Sequence, residues 1–278
     1  MPSRMWTQRL RMLHTVFKRE SYSTFVVLLW ETDKRKSLEN IQGEAHQKKD
    51  KTGKRAVSSR IDPAYIQNIG NWSGQLVHQL LIATGNSGKV REYAALLSGI
   101  PFELVSLKDL GITHEVDETG ETFQENSWLK ASEYAALSGL LTLADDSGLE
   151  VDALGGDPGV RSARYGGDAC QGDEDRVNLL LKNLEDVPWD KRTARFRCVI
   201  AVVESGGTAV TQAEGSVDGM IQYSPQGVDG FGYDPVFFIP SHYRTLAQIS
   251  LAEKNQLSHR GNAAKIVVES LKNLITDS

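Results

Sequence analysis

An apolar run, Leu80-Leu81-Ile82-Ala83, breaks into the small-residue turn Thr84-Gly85-Asn86-Ser87-Gly88-Lys89 and then into apolar residues at helical spacing, Val90, Tyr93, Ala94 and Leu97. A short buried strand, a glycine-containing loop and a helix, in that order, open an α/β fold. The rest of the body keeps the alternation. Phe102 to Ser106 reads as a second strand. Thr122-Phe123-Gln124-Glu125 has the T-x-x-E form of a capping box and predicts a helix that Gly139 ends. Leu140 to Ala144 predicts a third strand running into Asp145-Asp146-Ser147-Gly148, a carboxylate pair at a strand end, where α/β folds place chemistry. Asp173 is positioned to cap a helix carrying Val177, Leu180, Leu181 and Leu184. Arg195 to Val203 and Thr208 to Glu214 predict a long hairpin around Ser205-Gly206-Gly207. Gly227 to Asp234 is glycine-rich and leads into apolar Val236 to Ile239. Ser258 caps a closing helix with Ala263, Ile266, Val267, Leu271 and Leu274 along one side.

Charge divides the chain. Residues 1 to 75 carry 14 Lys and Arg against 7 Asp and Glu, whereas residues 76 to 278 carry 17 against 29. Residues 1–75 therefore read as a basic N-terminal extension, expected to be disordered because Lys34 to Arg60 is polar and without periodicity. Arg4, Arg9, Arg11, Lys18 and Arg19, with Leu10, Leu13 and Phe17 at helical spacing, also resemble an organellar presequence, and a start codon placed too early is a third reading. Residues 76–278 read as the acidic, folded body. An acidic body that handles polyanions needs its cations concentrated at the site or a divalent ion between. That balance argues against a stable nucleic-acid partner.

The early apolar run Phe25 to Trp30 is too short to cross a bilayer, which takes roughly 20 residues, so no membrane association is expected. Cys170 and Cys198 stand apart with no CxxC, which fits a reducing, cytoplasmic location.

Four constellations point to chemistry. Thr84 to Lys89 joins small residues, backbone amides at a helix start and one lysine, the parts of a phosphate cradle. Its spacing is not that of a Walker A loop, and an ordinary strand-to-helix connection is the competing reading. Asp145 and Asp146 are adjacent, so on extended backbone their side chains point to opposite sides; one faces a ligand and the other supports it. Asp146 is suited to share magnesium with another acid, the candidates being Asp117, Glu118 and Glu125. Phe231-Gly232-Tyr233-Asp234 offers aromatic faces for stacking on a base, against the alternative that these aromatics are core. Lys254, His259 and Arg260 place three cations within seven residues, matching triphosphate or base-edge recognition.

Taken together, TGNSGK (Thr84 to Lys89), TGETFQENSWLK (Thr119 to Lys130), ADDSG (Ala144 to Gly148), LGGDPGVRSARY (Leu154 to Tyr165), FGYDP (Phe231 to Pro235) and SHRG (Ser258 to Gly261) resemble, in this order, the inosine triphosphate pyrophosphatase family, the dITP/XTP diphosphatases. The resemblance covers about residues 78 to 275. It implies a two-lobed α/β fold with a long mixed β-sheet flanked by helices, a nucleotide cleft between the lobes, and a homodimer. The implied activity is magnesium-dependent hydrolysis of deaminated purine nucleoside triphosphates such as ITP, dITP and XTP to the monophosphate and pyrophosphate. The resemblance also implies phosphate contacts from Thr84, Gly85, Asn86, Ser87, Gly88 and Lys89, a catalytic and metal-binding Asp146, and a substrate contact from Ser147. Nucleotide contacts are implied for Phe231, Gly232, Tyr233, Asp234, Lys254, His259 and Arg260. A second metal ligand falls on Asp117, with Glu118 and Glu125 as alternatives. Competing functions are a pyrophosphatase for other modified nucleotides and a nucleotide-sensing module.

Overall fold

A computed structural model describes residues 78–276. The expectations for residues 1 to 75 lie outside the described residues.

Among the described residues, seven strands form one mixed sheet in the order β2-β1-β3-β4-β5-β6-β7. β1 (His78–Ile82) lies parallel to both β2 (Phe102–Ser106) and β3 (Leu141–Val151). The remaining ladder is antiparallel: β4 (Thr193–Val203), β5 (Ala209–Ile221), β6 (Phe237–Ile239) and β7 (Arg244–Thr245). The helices are α1 (Ser87–Leu96), α2 (Phe123–Ser138), α3 (Asp173–Asn183), α4 (Leu251–Leu257) and α5 (His259–Thr276).

Strand alternation divides the core. Leu80 and Ile82 face one side of the sheet, where Tyr93 and Leu97 of α1 and Ala263, Val267 and Leu271 of α5 cover them. Leu81 and Ala83 face the other side, under Ala131, Tyr134 and Ala135 of α2. The far ends of β3, β4 and β5 enter a second lobe, where Leu149, Val151, Phe196 and Ile221 pack with Val177, Leu180 and Leu184 of α3 and with Val236 and Phe237.

Local signals explain several boundaries. Thr122 accepts from the Glu125 amide while the Glu125 carboxylate accepts from the Thr122 amide, a closed capping box that starts α2. Gly139 stops that helix with φ of 70°, a left-handed conformation that glycine adopts without strain. Ser258 Oγ accepts from the Gly261 amide and so caps α5.

Other expectations need correction. β3 does not end at Ala144: β4 pairs with it from Thr142 to Val151, supplying backbone partners straight through the carboxylates. What ends near Ala144 is the pairing with β1, whose register stops at Leu143. Asp145 and Asp146 therefore lie inside a strand, just past the point where the parallel part of the sheet stops. β5 likewise runs on to Ile221 rather than stopping at Glu214. Asp173 opens α3 without capping it; the Asp175 carboxylate reaches back to the Gln171 and Gly172 amides. Ala94 and Ile266 are exposed rather than core, and α4 was not foreseen.

Candidate active site

The turn after β1 is built around Asn86. Its Oδ1 accepts from the amides of Gly88 at 2.8 Å and Lys89 at 3.1 Å, capping α1. Those two amides are thereby spent on the cap, which removes them from the expected phosphate cradle. Thr84 Oγ1 accepts from the Asn86 amide, and Gly85 and Ser87 are exposed. Gly88 is glycine for a steric reason: a Cβ there would stand 2.5 Å from the ring of Phe231. Lys89 crosses to the sheet and ends 2.9 Å from Asp145.

β3 sends its two carboxylates to opposite faces, as alternation requires. Asp145 lies on the α1 and α5 side, fully buried, with Lys89 Nζ at 2.9 Å and Arg260 Nη2 at 3.3 Å. Burial pushes its carboxyl up, but Lys89, Arg260 and Lys130 together outweigh that and hold it well below the usual carboxylate range. Cys198 Sγ lies 3.7 Å from the same carboxylate and 4.0 Å from Tyr93 Oη; burial and Asp145 push this thiol up to about 12.

Asp146 lies on the α2 side. Lys130 Nζ reaches it at 3.1 Å and Asn126 Nδ2 at 3.2 Å. Here burial wins over Lys130 and, with the nearby Glu118 charge, raises the carboxyl above its ordinary value. Lys130 also meets Glu118 at 2.6 Å, and Arg164 holds the other Glu118 oxygen at 3.2 Å. Burial raises Glu118 too, but Lys130 and Arg164 bring it below the ordinary value.

The acid that joins Asp146 is thus Glu118. Asp117 is exposed and forms no ion pair among the described residues, because the following residue, not this one, turns toward Lys130. Glu125 is committed to its own helix cap.

The third group surrounds Glu92, a buried acid on α1. It pairs with Lys254 at 2.8 Å through one oxygen and with Arg260 through the other. Burial raises its carboxyl, and the coulombic pull of Arg260 and Lys254 overcomes it, leaving a net lowering. Lys254 also meets Asp234, which folds its loop by accepting from the Phe231 amide at 2.9 Å. Lys254 and Arg260 stand over the Phe231 ring, 4.8 and 5.7 Å from its centroid. Arg260 Nη2 donates to Ser147 Oγ at 2.8 Å.

Two expected nucleotide-facing side chains are instead packed. Tyr233 is buried with its hydroxyl donating to the Ser162 carbonyl at 2.9 Å, so its ring belongs to the core. His259 is buried and stacks on Phe196, ring centroids 4.7 Å apart. Burial, with Arg260 and Lys254 nearby, depresses it well below the ordinary histidine value, so its imidazole is neutral. Gly232, at φ of 61°, donates its amide to Asp173. Lys254 belongs to α4, His259 and Arg260 to α5, and all three are buried.

Sequence reasoning gave no role to Lys130, Asn126, Glu92 or Arg164. The first two had a readable signal, because positions 126 and 130 stand one helical turn apart, on one face of the capped helix. Asp145 Oδ1, His259 Nδ1 and Arg260 Nε are buried with no hydrogen-bond partner among the described residues. Each such atom costs about 1–3 kcal/mol unless something bonds it, so three of them in one region mark a place for a ligand or water.

The residues fit a hard divalent cation. Among the described residues no group of three or more His, Cys, Asp or Glu could hold a metal ion. Asp146 and Glu118 instead meet across one ammonium, an all-oxygen pair. Magnesium asks for about one or two carboxylates, completed by water and substrate phosphates.

A mixed sheet flanked by helices, whose third strand carries two buried carboxylates to cations on its two faces, defines an α/β protein with a buried ionic site. The chain belongs to the Ham1 family, which it matches over residues 80–270. It is 50% identical over 193 residues to a Geobacter sulfurreducens protein named dITP/XTP pyrophosphatase, covering 69% of this chain and 96% of that protein. A Shigella flexneri protein of the same name is 46% identical over 198 residues, covering 71% and 100%. The structure of a HAM1 protein from Coxiella burnetii matches with a TM-score of 0.62 at 38% identity, covering 73% of this chain and 100% of that one. Among the described residues no helix is long and apolar enough to cross a membrane.

Proposed function

We propose that this chain is a pyrophosphatase that hydrolyses deaminated purine nucleoside triphosphates, ITP, dITP and XTP, to the monophosphate and pyrophosphate. The observation that carries the reading is Asp146: a buried carboxylate with a raised pKa, bonded to Lys130 and Asn126 and adjoining a second acid, Glu118. Family membership and the names of the bacterial relatives support it.

In this reading Asp146 accepts the proton of the attacking water, and the burial that raises its pKa makes it a stronger base. Asn126 and Lys130 fix the carboxylate in place. Lys89 and Lys130 offset charge developing on the phosphates, and Thr84, Gly85, Asn86, Ser87 and Gly88 line their approach. Asp146 and Glu118 would hold the divalent ion, magnesium, with Glu118 taking the role first assigned to Asp117. When bound, that ion would draw charge from the phosphate oxygens.

Phe231 offers its ring to the purine beside Lys254 and Arg260, and Ser147 and His259 complete the nucleotide contacts. Donors aimed at a 6-keto oxygen are left unpaired by the adenine amino group, which is how such a pocket rejects ATP. Gly232, Tyr233 and Asp234 shape the loop that carries Phe231. The working form is a cytoplasmic homodimer.

A pyrophosphate-release assay over the common and deaminated triphosphates tests this, each with magnesium and with chelator. Release from ITP, dITP and XTP, abolished by chelator and far weaker with ATP, is expected. Equal rates on all purines, or metal-independent release, would overturn it.

A further inference from the structure

Both oxygens of Glu118 are occupied by cations of the protein itself, Lys130 at 2.6 Å on one and Arg164 at 3.2 Å on the other. The two partners are unlike. Lys130 is 11% exposed, sits on α2 and is bonded to Asp146 as well. Arg164 is 52% exposed, ends the short 3-10 turn Gly159–Arg164, and has no second ion partner among the described residues. An ion pair exposed to that degree is weak and easily exchanged. Each oxygen keeps a further lone pair, but a cation already seated on it repels an arriving metal ion, and Arg164 is the cation free to leave.

We propose that Arg164 is an exchangeable cation. It neutralises Glu118 when no metal is bound, and turns to the phosphates that depart as pyrophosphate once a divalent ion takes Glu118. The proposal rests on the pyrophosphatase reading. Its chemistry is that of the guanidinium fork, which matches carboxylate and phosphate oxygens alike and stays charged at every working pH. The inner cations favour it too: Lys254 and Arg260 are tied to Glu92, Asp234 and Asp145, so beyond Lys89 and Lys130 a triphosphate must find part of its counter-charge at the rim.

Two titrations of Arg164→Ala and Arg164→Lys test this without turnover. In the first, Mn2+ is added to nucleotide-free protein and followed by electron paramagnetic resonance. Arg164→Ala should bind Mn2+ about two- to fivefold more tightly than wild type, because a competitor has gone. In the second, inorganic pyrophosphate is titrated calorimetrically in excess magnesium. Arg164→Ala should bind it roughly tenfold more weakly, with Arg164→Lys in between. A residue that only tethered its loop would weaken both or neither, so opposite signs are the signature. Unchanged or weaker Mn2+ binding overturns the exchange, and unchanged pyrophosphate binding overturns the phosphate contact. Arg164→Gln repeats both titrations should the alanine variant fail to fold. Failure of the pyrophosphatase reading looks different: wild type itself would release no pyrophosphate from ITP.

Discussion

Lys130 Nζ stands 3.1 Å from the Asp146 carboxylate, and both side chains are buried. The lysine, in turn, is pushed above its ordinary value: burial opposes its charge, but Asp146 and Glu118 more than compensate. A permanently charged ammonium therefore faces an acid that burial makes reluctant to ionise. Replacing Asp146 by Asn keeps the shape and removes the proton acceptor. Asp146→Asn should bind ITP normally and lose at least about a hundredfold in kcat. Stopped-time pyrophosphate release with calorimetric nucleotide binding measures the two separately, and near-normal turnover in a folded variant would refute Asp146 as the base.

The acid limb of the pH profile belongs to the same group. Asp146 acts when ionised, so kcat should fall as acid protonates it; in the metal-free protein burial raises its carboxyl above the ordinary value. Stability answers to its neighbour, whose pKa is shifted the opposite way. The folded pKa of Asp145 is depressed, so its ion pairs stabilise the protein above the unfolded carboxyl value and that contribution is lost as the pH falls below it. Asp145→Asn should cost about 3–5 kcal/mol at pH 7, the penalty of breaking a buried pair. The Tm gap from wild type should narrow below about pH 4. A gap that stays constant down to pH 3 would contradict the assignment.

Gly88 and Phe231 should be energetically coupled. A methyl group at Gly88 meets the ring at 2.5 Å, so Gly88→Ala must displace it. The expected result is a fall in kcat/KM for ITP of roughly tenfold or more, from misplacing a substrate-positioning group. With Phe231→Ala in the background, Gly88→Ala should add little, as contacting residues in a double-mutant cycle do. Full additivity would mean that the glycine serves something other than the ring.

Arg260 carries a selectivity prediction. Losing one donor to the keto oxygen should cost about 1–3 kcal/mol in kcat/KM for ITP with little change for ATP. Because Arg260 also answers Glu92 and Asp145, Arg260→Lys is the safer variant: it keeps a charge and loses the fork. Equal losses on both nucleotides would move Arg260 from the base to the phosphates.

A chain beginning at Gln75 should match the full-length protein in Tm and in kcat/KM, since β1 starts at His78. Comparing both at two salt concentrations separates an electrostatic contribution of the basic segment from a structural one. Loss of folding on truncation would show that the segment is needed.

Much of the fold was legible because its signals are local. Thr122, Glu125 and Gly139 bracket α2 through their own backbone bonds, and β2 matched its apolar run residue for residue. β3 was misjudged because a strand buried through two aspartates has no local signature; cations on α1, α2 and α5 make it tolerable, and sequence distance hides them. The same blindness covers Glu92. An acid on an amphipathic helix reads as solvated until Lys254 and Arg260, far along the chain, fold onto it. Asp117 and Glu118 show the limit of register: adjacent acids in an irregular stretch cannot be told apart until the backbone says which one turns inward.

The thiol of Cys198, closed in between Asp145 and Tyr93 with its pKa near 12, gives this protein an internal clock. Thiolate is the reactive form, so in the closed molecule alkylating reagents find almost nothing to attack. Modification at Cys198 must wait for the layer beneath the carboxylate strand to come apart, and its rate counts those openings. In a Cys170→Ser background the count comes from one sulfur alone, letting the tightness of the cleft be followed in real time as metal and nucleotide are added.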